Sequence, residues 1–82
     1  MDKQKILSEI ALIVRDVVDR PDLQISMQTT AENVKEWDSF NHINIVVAVE
    51  QHFGVKFKTA EIESLRNVGE LVALIAQKLK SR

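Results

Sequence analysis

The sequence predicts an all-α fold, a bundle of three longer helices and one short third helix, with a long loop between helices 1 and 2. Three observations predict it. Apolar residues recur at three- and four-residue steps in three separate stretches. Two Gly and one Pro leave few positions that would interrupt a helix. Hydrophobic residues make up 45% of the chain against 28% charged, the balance of a packed domain rather than of a disordered segment.

The first helix is expected between Lys3 and Val18, where Ile6, Leu7, Ile10, Ile13, Val14 and Val17 form one stripe. Pro21 requires that it has ended by then. From Asp19 to Asp38 no helical stripe is sustained, although Leu23, Ile25 and Met27 alternate with polar residues. A connection this long in a small domain either packs its own apolar residues or serves function. It is expected to be a packed loop anchored by Leu23, Met27 and Val34.

The second helix is expected over Ser39 to Phe53, with Phe40, Ile43, Val46, Val47, Val49 and Phe53 as its apolar face and Gly54 just past its end. The β-branched run Ile45-Val46-Val47 competes as a buried strand, but the length of the periodic stretch and the Gly stop favour helix. Val55 and Phe57 read as a short extended piece, after which Thr59 is expected to cap a brief helix holding Glu61, Ile62 and Leu65. Asn67 and Glu70 make a variant capping box ahead of the cleanest stripe in the chain, Val68, Leu71, Val72, Ile75 and Leu79. Lys78 and Lys80 fall near its C-terminal end, where positive charge is favoured.

With 82 residues the chain is one domain, residues 1–82, able to bury roughly 60–65% of its unfolded surface and with little room for an enclosed active site. There is no cysteine, so disulfides, thiolate metal sites and cysteine nucleophiles are excluded, and any thiol must come from an attached cofactor. Eleven basic residues against twelve acidic ones, without a basic cluster, argue against nucleic acid as a partner. No stretch approaches the ~20 apolar residues of a membrane span, and no signal peptide is evident, which makes the cytoplasm the expected location. The chain is expected to be a monomer.

Catalytic groupings are sparse. His42 and His52 lie ten residues apart, far out of register on a helix, and each reads as a solvated helix residue. Ser39 and His42 have i, i+3 spacing, yet no oxyanion loop completes a hydrolase site. Glu9, Asp16, Glu61 and Glu70 are explained by polar faces and first turns. Asp38-Ser39 admits two readings: a simple N-cap, or a serine whose hydroxyl is presented where an attached phosphate would meet free backbone N–H groups.

The sequence Asp38-Ser39-Phe40, in the frame "WDSFNHINIVVAVEQHFGVKF" through to "NVGELVALIAQKL", resembles the acyl carrier proteins over nearly the whole chain. Their prosthetic-group site reads Asp-Ser-Leu at the start of the second helix. The resemblance implies an acyl-carrier-protein-like four-helix bundle in which Ser39 bears 4′-phosphopantetheine, transferred from coenzyme A by a phosphopantetheinyl transferase, with Asp38 helping to present the serine. It implies no catalysis by the chain itself. The expected partners are that transferase, an acyl- or aminoacyl-loading ligase, and an acyltransferase or ketosynthase. The docking face implied is Phe40, Asn41, Asn44, Val47 and Glu50, and the implied acyl-chain lining is Val46, Ile62, Leu65 and Ala73.

The chain departs from carriers of primary fatty-acid synthesis, whose second helix is acidic, because Glu50 is the one carboxylate between Phe40 and Phe53. Steering by charge is weaker, and partner choice shifts towards Phe40, Val47 and the two Asn. Trp37 before the Asp and Phe40 in place of Leu are further differences. The function expected is a discrete carrier of acyl thioesters in a specialised lipid, polyketide or cell-envelope pathway. The alternatives are an aminoacyl carrier, for example of D-alanine, and an unmodified helical interaction module. A helix-turn-helix DNA-binding protein is disfavoured because the last helix has few basic residues at its start.

Overall fold

A computed structural model describes residues 2–80. Helix α1 spans Lys3–Val17, and the Asp2 carboxylate caps it by accepting the Lys5 N–H at 2.8 Å. It has ended before Pro21, as expected. The helix ends at Val17 and the chain turns at Asp19, whose φ of 57° is left-handed, a conformation Asp tolerates better than most residues.

The connection from α1 to the next helix is packed, as expected. Val34 and Trp37 are buried, and Leu23, Ile25 and Met27 are half-buried against the core. Polar ties hold its path: the Arg15 Nε donates to the Leu23 carbonyl at 2.6 Å, and Arg20 reaches both carboxylate oxygens of Glu36 at 3.2 Å each. A 3-10 turn at Ala31–Asn33 breaks the loop, a feature that three residues of sequence do not announce. The loop is joined to the last helix by backbone bonds, from the Val68 N–H to the Thr29 carbonyl at 2.8 Å and from the Gly69 N–H to the Met27 carbonyl at 2.7 Å.

Helix α2 spans Ser39–Phe53 and closes on Gly54 in the left-handed region at φ 68°, the C′ glycine the sequence predicts. Its buried face is Ile45, Val46, Val49 and Phe53. The expected apolar face is therefore corrected: Phe40, Ile43 and Val47 are exposed, at 74%, 55% and 44%. Helix α3 is a short turn, Thr59–Glu63, with no buried residue. Lys58, not Thr59, occupies its cap position, with the Lys58 N–H donating to Glu61 Oε1 at 2.8 Å. Leu65 lies beyond its end.

Helix α4 spans Val68–Lys80. Half of the capping box expected there forms, with Asn67 Oδ1 accepting the Glu70 N–H, while Glu70 Oε1 accepts the N–H of Arg66, one residue before the cap, both at 2.8 Å. One core joins the longer helices: Ile6, Ile10 and Val14 of α1, Ile45 and Val49 of α2, and Val68, Val72 and Ile75 of α4 are fully buried. Helix α1 packs on both α2 and α4. The radius of gyration is 11.6 Å, close to the roughly 12 Å expected of a folded chain of this length. No strand occurs among the described residues, so the Ile45-Val46-Val47 run is helical.

Candidate functional site: the start of helix α2

Asp and Ser both make good N-caps, and here they divide the work. Asp38 has the extended backbone of a cap, and its Oδ1 accepts the Asn41 N–H at 2.8 Å. Ser39 is the first helical residue. It is exposed, and its hydroxyl has no hydrogen-bond partner among the described residues. The local capping need is met without it. Its own N–H and that of Phe40 lie in the first turn, where no intrahelical acceptor exists and the helix dipole favours negative charge.

Beside Ser39 runs an open groove of about 630 Å³ between the first turns of α2 and α3. Trp37, Ile43, Ile62 and Leu65 give it an apolar floor, and Asp38 and Glu63 stand among its polar residues. An exposed hydroxyl, a phosphate-compatible helix start and an adjacent groove with an apolar floor fit a serine-linked phosphate ester with a long arm that ends in apolar cargo. Of the expected acyl-chain lining, Ile62 and Leu65 are in this groove. Val46 is instead buried within the bundle, and Ala73 is exposed beside a separate shallow groove with Leu65 and Leu74.

The implied docking residues fall into two groups. Phe40 and Val47 are exposed and share one face with Ile43, which periodicity had assigned to the core, and Asn44 is exposed near them. Asn41 and Glu50 are engaged within the fold. Asn41 Nδ2 donates to the Glu36 carbonyl at 2.8 Å, and Glu50 Oε2 accepts the Phe57 N–H at 2.8 Å, holding the chain that leaves α2. That second bond joins residues seven apart across a turn, which no local pattern signals.

Neither histidine is a plain solvated residue. His42 is half-buried, and its Nδ1 accepts the indole N–H of Trp37 at 3.0 Å. That bond takes the nitrogen away from Ser39, and no Ser39–His42 hydrogen bond forms. His52 pairs with Glu9, tying α2 to α1. No group of three or more His, Cys, Asp or Glu among the described residues could hold a metal ion.

At the far edge of α3, Glu61 takes the Lys58 backbone N–H and the ammonium of Lys78 at 3.0 Å. The backbone hydrogen bond first and the lysine second hold its carboxyl below the usual carboxylate value.

Residues 8–75 match the family model described as "Phosphopantetheine attachment site". The chain is 27% identical over 82 residues to the acyl carrier protein of Coprothermobacter proteolyticus, covering all of both chains. It is 30% identical over 76 residues to that of Acidothermus cellulolyticus, covering 93% of this chain and 90% of the other. Its structure is similar to the solution NMR structure of holo acyl carrier protein from Geobacter metallireducens, with a TM-score of 0.85 and 35% identity over 92% of this chain and 86% of that one.

Proposed function

Because this chain belongs to the acyl carrier protein family and uses a phosphopantetheine prosthetic group, we propose that the group is esterified to Ser39. The observation that carries the assignment is that Asp38 caps α2 and leaves the Ser39 hydroxyl exposed and without a partner among the described residues. Members of the family are carriers rather than catalysts, and a phosphopantetheinyl transferase and acyl-handling enzymes are their general partners. When bound, the arm supplies the thiol that holds an acyl group as a thioester, the chemistry this cysteine-free chain lacks.

The chain's own residues position and present. Asp38 fixes the first turn of α2, with its second carboxylate oxygen left for the transferase site. The first-turn N–H groups of Ser39 and Phe40 offset the charge of the phosphodiester. Partner enzymes dock on Phe40, Ile43, Asn44 and Val47 of α2. With Glu50 occupied by the Phe57 N–H, this face offers no unengaged carboxylate on α2, so it suits a partner with an apolar hollow better than one with a basic patch. That supports an acyl carrier of a specialised lipid, polyketide or cell-envelope pathway, acting as a monomer in the cytoplasm. Among the described residues no helix is long and apolar enough to cross a membrane.

Intact mass before and after incubation with coenzyme A, magnesium and a broad-specificity phosphopantetheinyl transferase tests the assignment. One phosphopantetheine is expected on the wild type and none on Ser39→Ala. Addition to the variant, or none to the folded wild type with several transferases, would reject Ser39 as the attachment point.

A further inference from the structure

Two neighbouring spaces share Ala31, Trp37, His42 and Leu65 in their linings. The outer one is the groove of about 630 Å³ beside Ser39, and the inner one is a crevice of about 40 Å³ that reaches the buried Val68 and Leu71. Of the four shared residues, Trp37 and His42 are joined by a side-chain hydrogen bond. The inner space has room for no more than a few water-sized groups, and behind it the core is closed, with Ile45, Val49, Val68 and Val72 at 1% exposure or less.

Trp37 is held in that position by a specific bond. The residue is 9% exposed, and a buried indole N–H needs an acceptor, which is His42 Nδ1 at 3.0 Å with the ring centroids 6.3 Å apart. Swinging the indole aside to open the interior would break this bond and leave the N–H unpaired. From this we infer that Trp37 is a specificity-determining wall, positioned by His42, that keeps an arm-borne acyl chain in the outer groove and out of the helical core. The inference rests on the attachment at Ser39 proposed above. It assigns the cargo a class: apolar acyl groups short enough to lie along Trp37, Ile43, Ile62 and Leu65, with longer chains leaving their ends in solvent.

Trp37 is the one tryptophan of the chain, so its emission reads the wall directly. His42→Leu, which removes the acceptor, should red-shift that emission relative to wild type, and His42→Gln, which restores an acceptor, should return it to the blue. Emission that is the same with all three side chains at position 42 would overturn the role of His42.

The second experiment loads butanoyl, octanoyl and dodecanoyl groups on the phosphopantetheine arm, with loading verified by intact mass, and compares melting temperatures. In the wild type the gain over the unloaded form should rise from butanoyl to octanoyl and then level off. In Trp37→Leu, and independently in His42→Leu, it should continue rising to dodecanoyl. If the mass shows no arm at Ser39, the attachment falls and this inference falls with it. If the arm is added and wild type and both variants depend alike on chain length, the wall alone is overturned.

Discussion

Replacing Asp38 by Ala removes the acceptor of the Asn41 N–H and should cost about 1 kcal/mol of stability, as losing an N-cap does. Replacing its neighbour Ser39 by Ala removes an exposed hydroxyl without a partner among the described residues and should stay within about 0.5 kcal/mol of wild type. Denaturant melts of the two variants measure the difference, and a larger loss at Ser39 than at Asp38 would return the capping role to the serine. A second residue-scale effect depends on pH. The Glu61 carboxyl is depressed below 4.5, so the folded state prefers its charged form. The stability this adds is fully present above its unfolded value and is lost as pH falls through the lower folded value. The melting temperature of Glu61→Gln should therefore lie below wild type at neutral pH, with the gap closing as the solution is acidified below 4.5. A gap that persists undiminished in acid would mean that the charge of Glu61 is not the source.

Among the elements, the long connection depends most on a single backbone approach. A Cβ on Gly69 would stand 2.9 Å from the Met27 carbonyl oxygen, the atom that accepts the Gly69 N–H. Because the obstacle is backbone, Gly69→Ala must push the connection off the start of α4 and should cost about 1–3 kcal/mol, despite the better helix propensity of Ala. Thermal melts would show the loss, and a neutral or stabilising result would mean that the connection moves freely. This element also marks where sequence reading stops. Helices α1, α2 and α4 were legible because a 3.6-residue period survives in their apolar positions, and Gly54 and the Asn67–Glu70 pair are local signals. The path of the connection was not, since Gly69 meets Met27 and Arg20 meets Glu36 across long separations that carry no period. On α2, apolar residues lie on two faces, and periodicity alone cannot say which one a neighbour covers. Ile43 was therefore placed in the core, and Phe40 and Val47, expected on both the apolar face and the docking face, proved exposed. At Ser39 the ambiguity was a single residue, cap or first helical position, between two residue types that cap equally well.

For the molecule as a whole, the arrangement of contacts makes presentation of Ser39 a property of the entire fold. Helix α1 packs against both α2 and α4, while α3 contributes nothing to the buried core. The position of Ser39 at the first turn of α2 thus depends on α1, more than twenty residues earlier in the sequence. Ile10 is fully buried in that helix. Truncating it to Ala leaves a cavity and should remove about 2–5 kcal/mol, a large share of the ~4–12 kcal/mol that a chain of this length retains. Since the longer helices share one core, no part should melt ahead of the rest. Helical circular dichroism, which follows the helices, and the emission of Trp37, which follows the site, should lose signal at the same denaturant concentration in wild type and in Ile10→Ala. If Trp37 emission changed first, the start of α2 would be opening as a local unit, and the groove beside Ser39 would be held by its own contacts rather than by the bundle. Coincidence in both proteins would instead make every core substitution act on Ser39 through the folded fraction alone.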